Sequence, residues 1–359
     1  MQIKNWLSGL FLFSAFTSYG QEDQDTTKAK LRISAYIESY YSFDPKKPSQ
    51  HQKAAFTYSH HRNNEISVNL AMVKLAYQTE RVRSNLALAA GSYMNANYAA
   101  EEGIYKAIYE ANVGYKISKD GDLWIDAGIM PSHIGPESAI GMDNINLTRS
   151  LAADNSPYFE TGVKLSFQNS DSTWSIAVLA LNGWQRIQLP EHSTGLSFGH
   201  QIQYKPTESL LINSSSYIGK EGADSLRMFH DFYIQVDFNE RLRLLGLFDF
   251  AIQQRSQGLK NAKYWTAGLQ AKYQINNRLH LNGRMEYFKD EQGIILAATS
   301  TALNSLYGAS AGFDLRLVDN LIWRVEYRYL QANTDTFYNR DTLSERRNNT
   351  YNTAITWRF

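Results

Sequence analysis

The chain ends Tyr351-Asn352-Thr353-Ala354-Ile355-Thr356-Trp357-Arg358-Phe359, and this stretch decides the fold. In an extended strand successive side chains point to opposite faces. Tyr351, Thr353, Ile355, Trp357 and Phe359 therefore share one face, and Thr350, Asn352, Thr356 and Arg358 the other. The same alternation runs upstream. Leu321, Trp323, Val325, Tyr327 and Tyr329 oppose Arg324, Glu326 and Arg328, while Leu279, Leu281, Met285 and Tyr287 oppose Arg278, His280, Asn282, Arg284 and Glu286. Sixteen segments read this way: 31–42, 64–79, 81–95, 104–118, 122–131, 157–169, 172–184, 196–206, 208–220, 227–238, 241–254, 262–275, 278–290, 306–317, 320–332 and 348–359. Within the second, Met72-Val73 reads as a phase slip of the kind a bulge produces.

The joins between these segments alternate in length. Those after the even segments are tight and carry turn residues such as Lys119-Asp120-Gly121, Asn239-Glu240 and Asn276-Asn277. Those after the odd segments are nearly all longer. A soluble sandwich has no reason to sort loop length by parity, whereas a barrel crossing a bilayer places short periplasmic turns on one side and long loops outside. No run of 18 apolar residues follows the N-terminal stretch and mean hydropathy is −0.43, so spanning helices are excluded. Hydrocarbon leaves no water to satisfy an open sheet edge, so the strands must close on themselves. The expectation is an all-β, closed antiparallel transmembrane β-barrel of about 16 strands. A ring of that size encloses a water-filled lumen.

At the other end, Lys4, the apolar run Trp6 to Phe16 and the small residues before Gln21 read as a signal peptide over 1–20. Residues 21–30 read as a periplasmic leader, and 31–359 as the barrel. The chain has no cysteine, which excludes disulfides, thiolate metal sites and a lipid-modified N-terminus. Lys plus Arg number 36 against 35 Asp plus Glu, a balance that gives nucleic acid no electrostatic foothold. No phosphate-binding loop and no Gly-x-Ser-x-Gly occurs, and no cofactor, metal or catalytic residue is expected.

Two motifs carry a family resemblance. The last nine residues resemble the terminal signal that barrel-assembly machinery reads on outer-membrane proteins, with Tyr351, Trp357 and Phe359 as its aromatic positions. Gly128-Ile129-Met130-Pro131, followed by Ile134-Gly135-Pro136-Glu137-Ser138 and Asn146-Leu147-Thr148-Arg149-Ser150, resembles the mid-barrel segment of OmpL-like β-barrel porins, common in Bacteroidota. Pro136 stands where that family often has a bulkier aromatic. The resemblance implies an outer-membrane porin through which small hydrophilic solutes or ions diffuse, with lipid around it and a homotrimer as its assembly. The alternatives are a barrel enzyme of lipase or protease type and a non-channel structural or adhesive barrel.

The connection 132–156 is the longest, too long for a simple turn. Folded into the lumen it would place Glu137, Asp143, Arg149 and Asp154 at a constriction; left outside it would be an ordinary exposed loop. On the inward faces Arg32, Arg241, Arg243, Lys272, Arg278, Arg284, Arg316, Arg324, Arg328 and Arg358 form one basic wall, interrupted by Asp249, Glu286, Asp314 and Glu326. Set against Asp126, Glu160 and Asp231 across the lumen, that wall would generate a transverse field; paired with its own carboxylates, it would be neutral. His51, His60 and His61 share the first long loop and read as surface histidines rather than metal ligands. No single strand carries a serine and a histidine two apart, so a nucleophile beside a base is not expected.

Overall fold

The computed structural model describes residues 29–359 apart from 120, 190, 192, 194, 221–224, 256–258, 297–302 and 341. The signal peptide expected over 1–20 and most of the leader lie outside the described residues. The alternating segments form β1 (Lys30–Phe43), β2 (Ile66–Gln78), β3 (Val82–Ala90), β4 (Ile108–Lys116), β5 (Asp122–Pro131) and β6 (Phe159–Gln168). They continue as β7 (Trp174–Leu181), β8 (Ser197–Thr207), β9 (Leu210–Lys220), β10 (Leu226–Asp237), β11 (Leu242–Gln253) and β12 (Ala262–Gln274). The last are β13 (Leu279–Asp290), β14 (Ser305–Val318), β15 (Leu321–Ala332), β16 (Phe337–Asn339), β17 (Thr342–Glu345) and β18 (Arg347–Arg358). All except β16 and β17, a small hairpin in one long loop, pair antiparallel in sequence order into a closed barrel. Closure joins β1 to β18, from Tyr36 opposite Arg358 to Phe43 opposite Tyr351.

The two faces sort as the alternation requires. Outside, Leu31, Ile66, Met285, Tyr307 and Ile355 are each more than half exposed. A continuous apolar exterior of this kind is stable in lipid, not in water. Tyr41, Trp174, Trp323 and Phe359 also face out, and Trp174 stacks on Tyr204 at 4.3 Å. Inside are carboxylates, guanidiniums and amides.

Three local departures follow from backbone chemistry. The strand expected to run to 95 stops at Ala90, because Gly91 turns the chain at φ 138° and Ser92–Asn97 form a short helix, α1. Likewise Gly103–Ala107 is a 3₁₀ turn, so the strand expected from 104 begins at Ile108. The slip in β2 is not at Met72-Val73: Glu38 pairs with Leu70 and Ser39 with Val68, which leaves Asn69 as the extra residue of a bulge. That bulge turns Asn69 inward, where it is fully buried.

Candidate functional site

The long connection after β5 does not stand outside the barrel. From Asn144 to Ser156 every residue is buried, and the segment lies against the inner wall of β10–β15 and β18, with Leu147 reaching Tyr40 of β1 and Ala153 sharing an apolar cluster with Tyr36, Leu70 and Ala87 of β1–β3. It leaves β5 after Pro131; just before, Gly128 takes a φ of 125°, where a β-carbon would run into the Ala111 carbonyl. It includes a 3₁₀ turn at Gly141–Asp143 and one helical turn, α2 (Leu151–Asp154). The Ser150 side chain caps α2 by accepting from Ala153 N. Ile145 and Ala152 pack on Tyr233, Leu245 and Leu247 of the wall.

Irregular backbone leaves carbonyls and amides unpaired, and the wall supplies their partners. Arg324 donates to the carbonyls of Gly141 at 2.6 Å and of Asn144 and Ile145 at 3.2 Å. Arg284 donates to Thr148 O at 2.7 Å, and Arg328 to Arg149 O at 2.8 Å. The carboxylates take the amides: Glu326 accepts from Thr148 N at 2.9 Å and from its hydroxyl, and Glu286 from Leu151 N at 2.6 Å. Glu137 accepts from Ser150 N at 3.1 Å and from Gln270 Nε2 at 2.6 Å. The wall groups also pair with one another, Arg324 with Asp314 at 2.8 Å, Arg328 with Glu286 at 2.8 Å and Arg284 with Glu326 at 3.4 Å.

The remaining expected residues are scattered. Arg149 is fully buried, and its guanidinium donates to the loop's own Leu147 and Ala139 carbonyls. Asp143 is exposed and pairs with Arg358 at 2.6 Å, while Arg32 is exposed at the start of β1. The three acids expected opposite the basic wall have local partners instead. Arg83 pairs with Asp126, His133 Nδ1 lies 2.8 Å from Glu160, and Asp231 sits beside Asp249 and accepts from Asn213 and Ser215. Burial opposes a charge on His133, but Glu160, the Ser216 carbonyl and Asp231 together outweigh it and raise the imidazole above its usual value.

The first long loop, 44–65, also folds inward, which corrects the surface reading of His60. That histidine is fully buried, its Nε2 2.5 Å from Glu38 Oε1, and Tyr36 and Asn69 donate to the same carboxylate. Ser59 N donates to Asp154 at 3.0 Å, which ties this loop to α2. Burial pushes the Asp154 carboxyl up to about 6. Lys53, whose Nζ donates to Asn352 at 3.0 Å, is brought down to about 7 by burial and by nearby Arg328. Lys53 and Arg340 edge an outer pocket of about 260 Å³.

Away from the seated loops the lumen wall is more open. Lys74 pairs with Glu110 at 2.6 Å and Arg83 with Asp126 at 2.5 Å, each cation remaining partly exposed. Asn85 of β3, Asn112 of β4, Lys164 of β6 and Gln203 of β8 are likewise half-buried. At the periplasmic end a hollow of about 630 Å³ is edged by Asp237, Arg241, Arg243, Lys272 and His280. Reading single strands missed one further pair. On the outer face Ser216 Oγ lies 2.6 Å from His200 Nδ1, brought together by β8–β9 register rather than by spacing along one strand.

The sequence matches the model of a family described as "Putative beta-barrel porin-2, OmpL-like" over residues 30–359. A comparison with curated proteins finds no match. Among solved structures the barrel resembles an anion-selective porin from Comamonas acidovorans, with 9% identity, a TM-score of 0.61 and coverage of 92% of this chain and 100% of that one. It also resembles the outer-membrane channel DcaP of Acinetobacter baumannii, with 8% identity, a TM-score of 0.62 and coverage of 93% and 99%. A trimer form of the outer-membrane protein OmpT of Vibrio cholerae gives 9%, 0.62, and 92% and 99%. At these identities the likeness is one of fold.

Proposed function

Since the chain belongs to the OmpL-like family of β-barrel porins and is a protein of the outer membrane, we propose that it works by diffusion rather than by chemistry, passing small hydrophilic solutes or ions through its lumen. The observation that carries this reading is the inward loop 132–158. It is seated on Arg284, Arg324 and Arg328, and it crowds one side of the lumen while Lys74, Arg83 and Lys164 stay partly exposed on the other. A constriction bounded by fixed charges filters by size and, weakly, by sign. In this reading Glu137, Asp154, Glu160, Asp231, Glu286 and Glu326 hold the narrow zone in shape, and their paired partners keep its net field small. Tyr351, Trp357 and Phe359 serve as the assembly signal, and the chain assembles as a homotrimer in lipid.

Refolded protein in planar bilayers tests the proposal. Discrete steps of conductance are expected, with a modest reversal potential in a gradient of a salt with ions of unequal mobility and a sharp size limit in a series of sugars. A folded barrel that conducts nothing would favour a structural or adhesive role. Turnover of a lipid or peptide substrate would favour an enzyme.

A further inference from the structure

The exterior of the barrel carries a polar island inside its apolar band. His200 of β8 and His230 of β10 are both register partners of Ser216 on β9, so the three form one row across adjacent strands. At the ~4.8 Å spacing of neighbouring strands this row is about 10 Å wide. All three side chains face out. Ser216 Oγ lies 2.6 Å from His200 Nδ1, Ser214 Oγ lies 3.3 Å from His230 Nε2, and the imidazoles are 6.1 Å apart. Apolar side chains surround the row. Phe198, Met228 and Ile218 lie on its outer side and Ile202 and Phe232 on its inner side, each more than a third exposed. The island therefore sits at the depth of acyl chains, not of headgroups.

Each imidazole has one ring nitrogen bonded to a serine, and the second has no partner among the described residues. Hydrocarbon cannot satisfy that nitrogen, so lipid is a poor neighbour here. Nor is the pair built for catalysis. Ser216 lies mid-strand between two paired neighbours, so the backbone amides beside it belong to the ladder and leave no hole for an oxyanion. A surface of neutral donors and acceptors is instead matched by protein, and a neutral imidazole offers one of each. It needs no opposite charge and no specialised ligand.

We propose that the β8–β10 wall is the face by which one copy of this chain packs against another in the membrane. This rests on the homotrimer reading above and names its surface. The chain has no cysteine, so a single one can be placed at will. Ile218→Cys sets a bimane label beside the row without altering it, and Ile37→Cys on β1 is the control across the ring. In nanodiscs containing lipids with nitroxide-labelled acyl chains, the label at 218 is expected to escape quenching while that at 37 is quenched. His200→Phe with His230→Phe is expected to expose position 218 and to lower the subunit number by native mass spectrometry. An oligomer in which 218 is quenched as strongly as 37 overturns this surface and leaves the assembly reading standing. A monomeric wild type overturns both. Shielding of 218 in a monomeric sample assigns the island to bound lipid and also overturns the proposal.

Discussion

Replacing Arg324 by leucine tests whether the inward loop sets the width of the channel. Arg324 is almost fully buried, and its guanidinium holds three carbonyls of the loop, at Gly141, Asn144 and Ile145. Its other partner, Asp314, keeps Lys272 at 3.1 Å when the arginine is gone, so the strands lose less than the loop does. A net hydrogen bond to a charged group contributes about 1.5–3 kcal/mol, and with two of the three contacts long the seated state should lose about 3–5 kcal/mol. That raises the fraction of time the 141–145 segment is lifted by roughly two to three and a half decades, at about 1.4 kcal/mol per decade. In single-channel recordings Arg324→Leu should show frequent excursions to a larger conductance, and Arg324→Lys should fall between it and the wild type, because an ammonium reaches fewer carbonyls than a fork. If Arg324→Leu folds, by its shift on cold SDS gels, and conducts with unchanged amplitude and noise, the seated loop does not limit flow.

Three further outcomes are expected. Asp154 loses its proton near pH 6 and Lys53 near pH 7, so their joint charge passes from positive through zero to negative as pH rises from 5 to 8; the reversal potential should drift toward cation preference, with Asp154→Asn removing the lower step and Lys53→Met the upper, and a pH-independent potential would refute this. Gly128→Ala forces a side chain into the Ala111 carbonyl at a backbone angle that L-residues avoid, which should cost about 1–3 kcal/mol and lower the temperature at which the folded gel band disappears. Phe359→Ala should reduce the amount of heat-modifiable barrel recovered from outer membranes while leaving refolding in detergent intact, since Phe359 faces out, its ring resting on that of its chain neighbour Trp357 while its backbone pairs with Ala35.

The barrel was legible because the property that builds it is periodic. Leu281 and Met285 against Asn282 and Arg284 fix which face meets lipid whatever the neighbouring strand is, and the tight joins at Asn239-Glu240 and Asn276-Asn277 fix which ends meet. What alternation does not encode is height. Strands in a barrel are staggered, so a residue's sequence position does not say what lies beside it. That is why His200 and Ser216 looked unrelated, and why His60 looked exposed: its partner, Glu38, lies on another element 22 residues away. The inward course of loop 132–158 had a partial signal. Ala139, Ile140, Ile145, Leu147, Leu151, Ala152 and Ala153 are too apolar for a segment bathed in water, but their seat on β13 and β15 is a long-range match of lone carbonyls to arginines. The Met72-Val73 slip was misplaced by three residues for a related reason, since a bulge is defined by its partner strand and not by its own side chains.

Thr148 meets Glu326 across 178 residues, and Leu151 meets Glu286 across 135. The segment that crowds the interior thus leaves the chain after the fifth strand, while the groups that receive it arrive only with the thirteenth and fifteenth. A half-built ring offers it only the apolar part of that seat, around Tyr36, Leu70 and Tyr93. The polar seat of this segment is therefore complete only when the final strands have been stitched in.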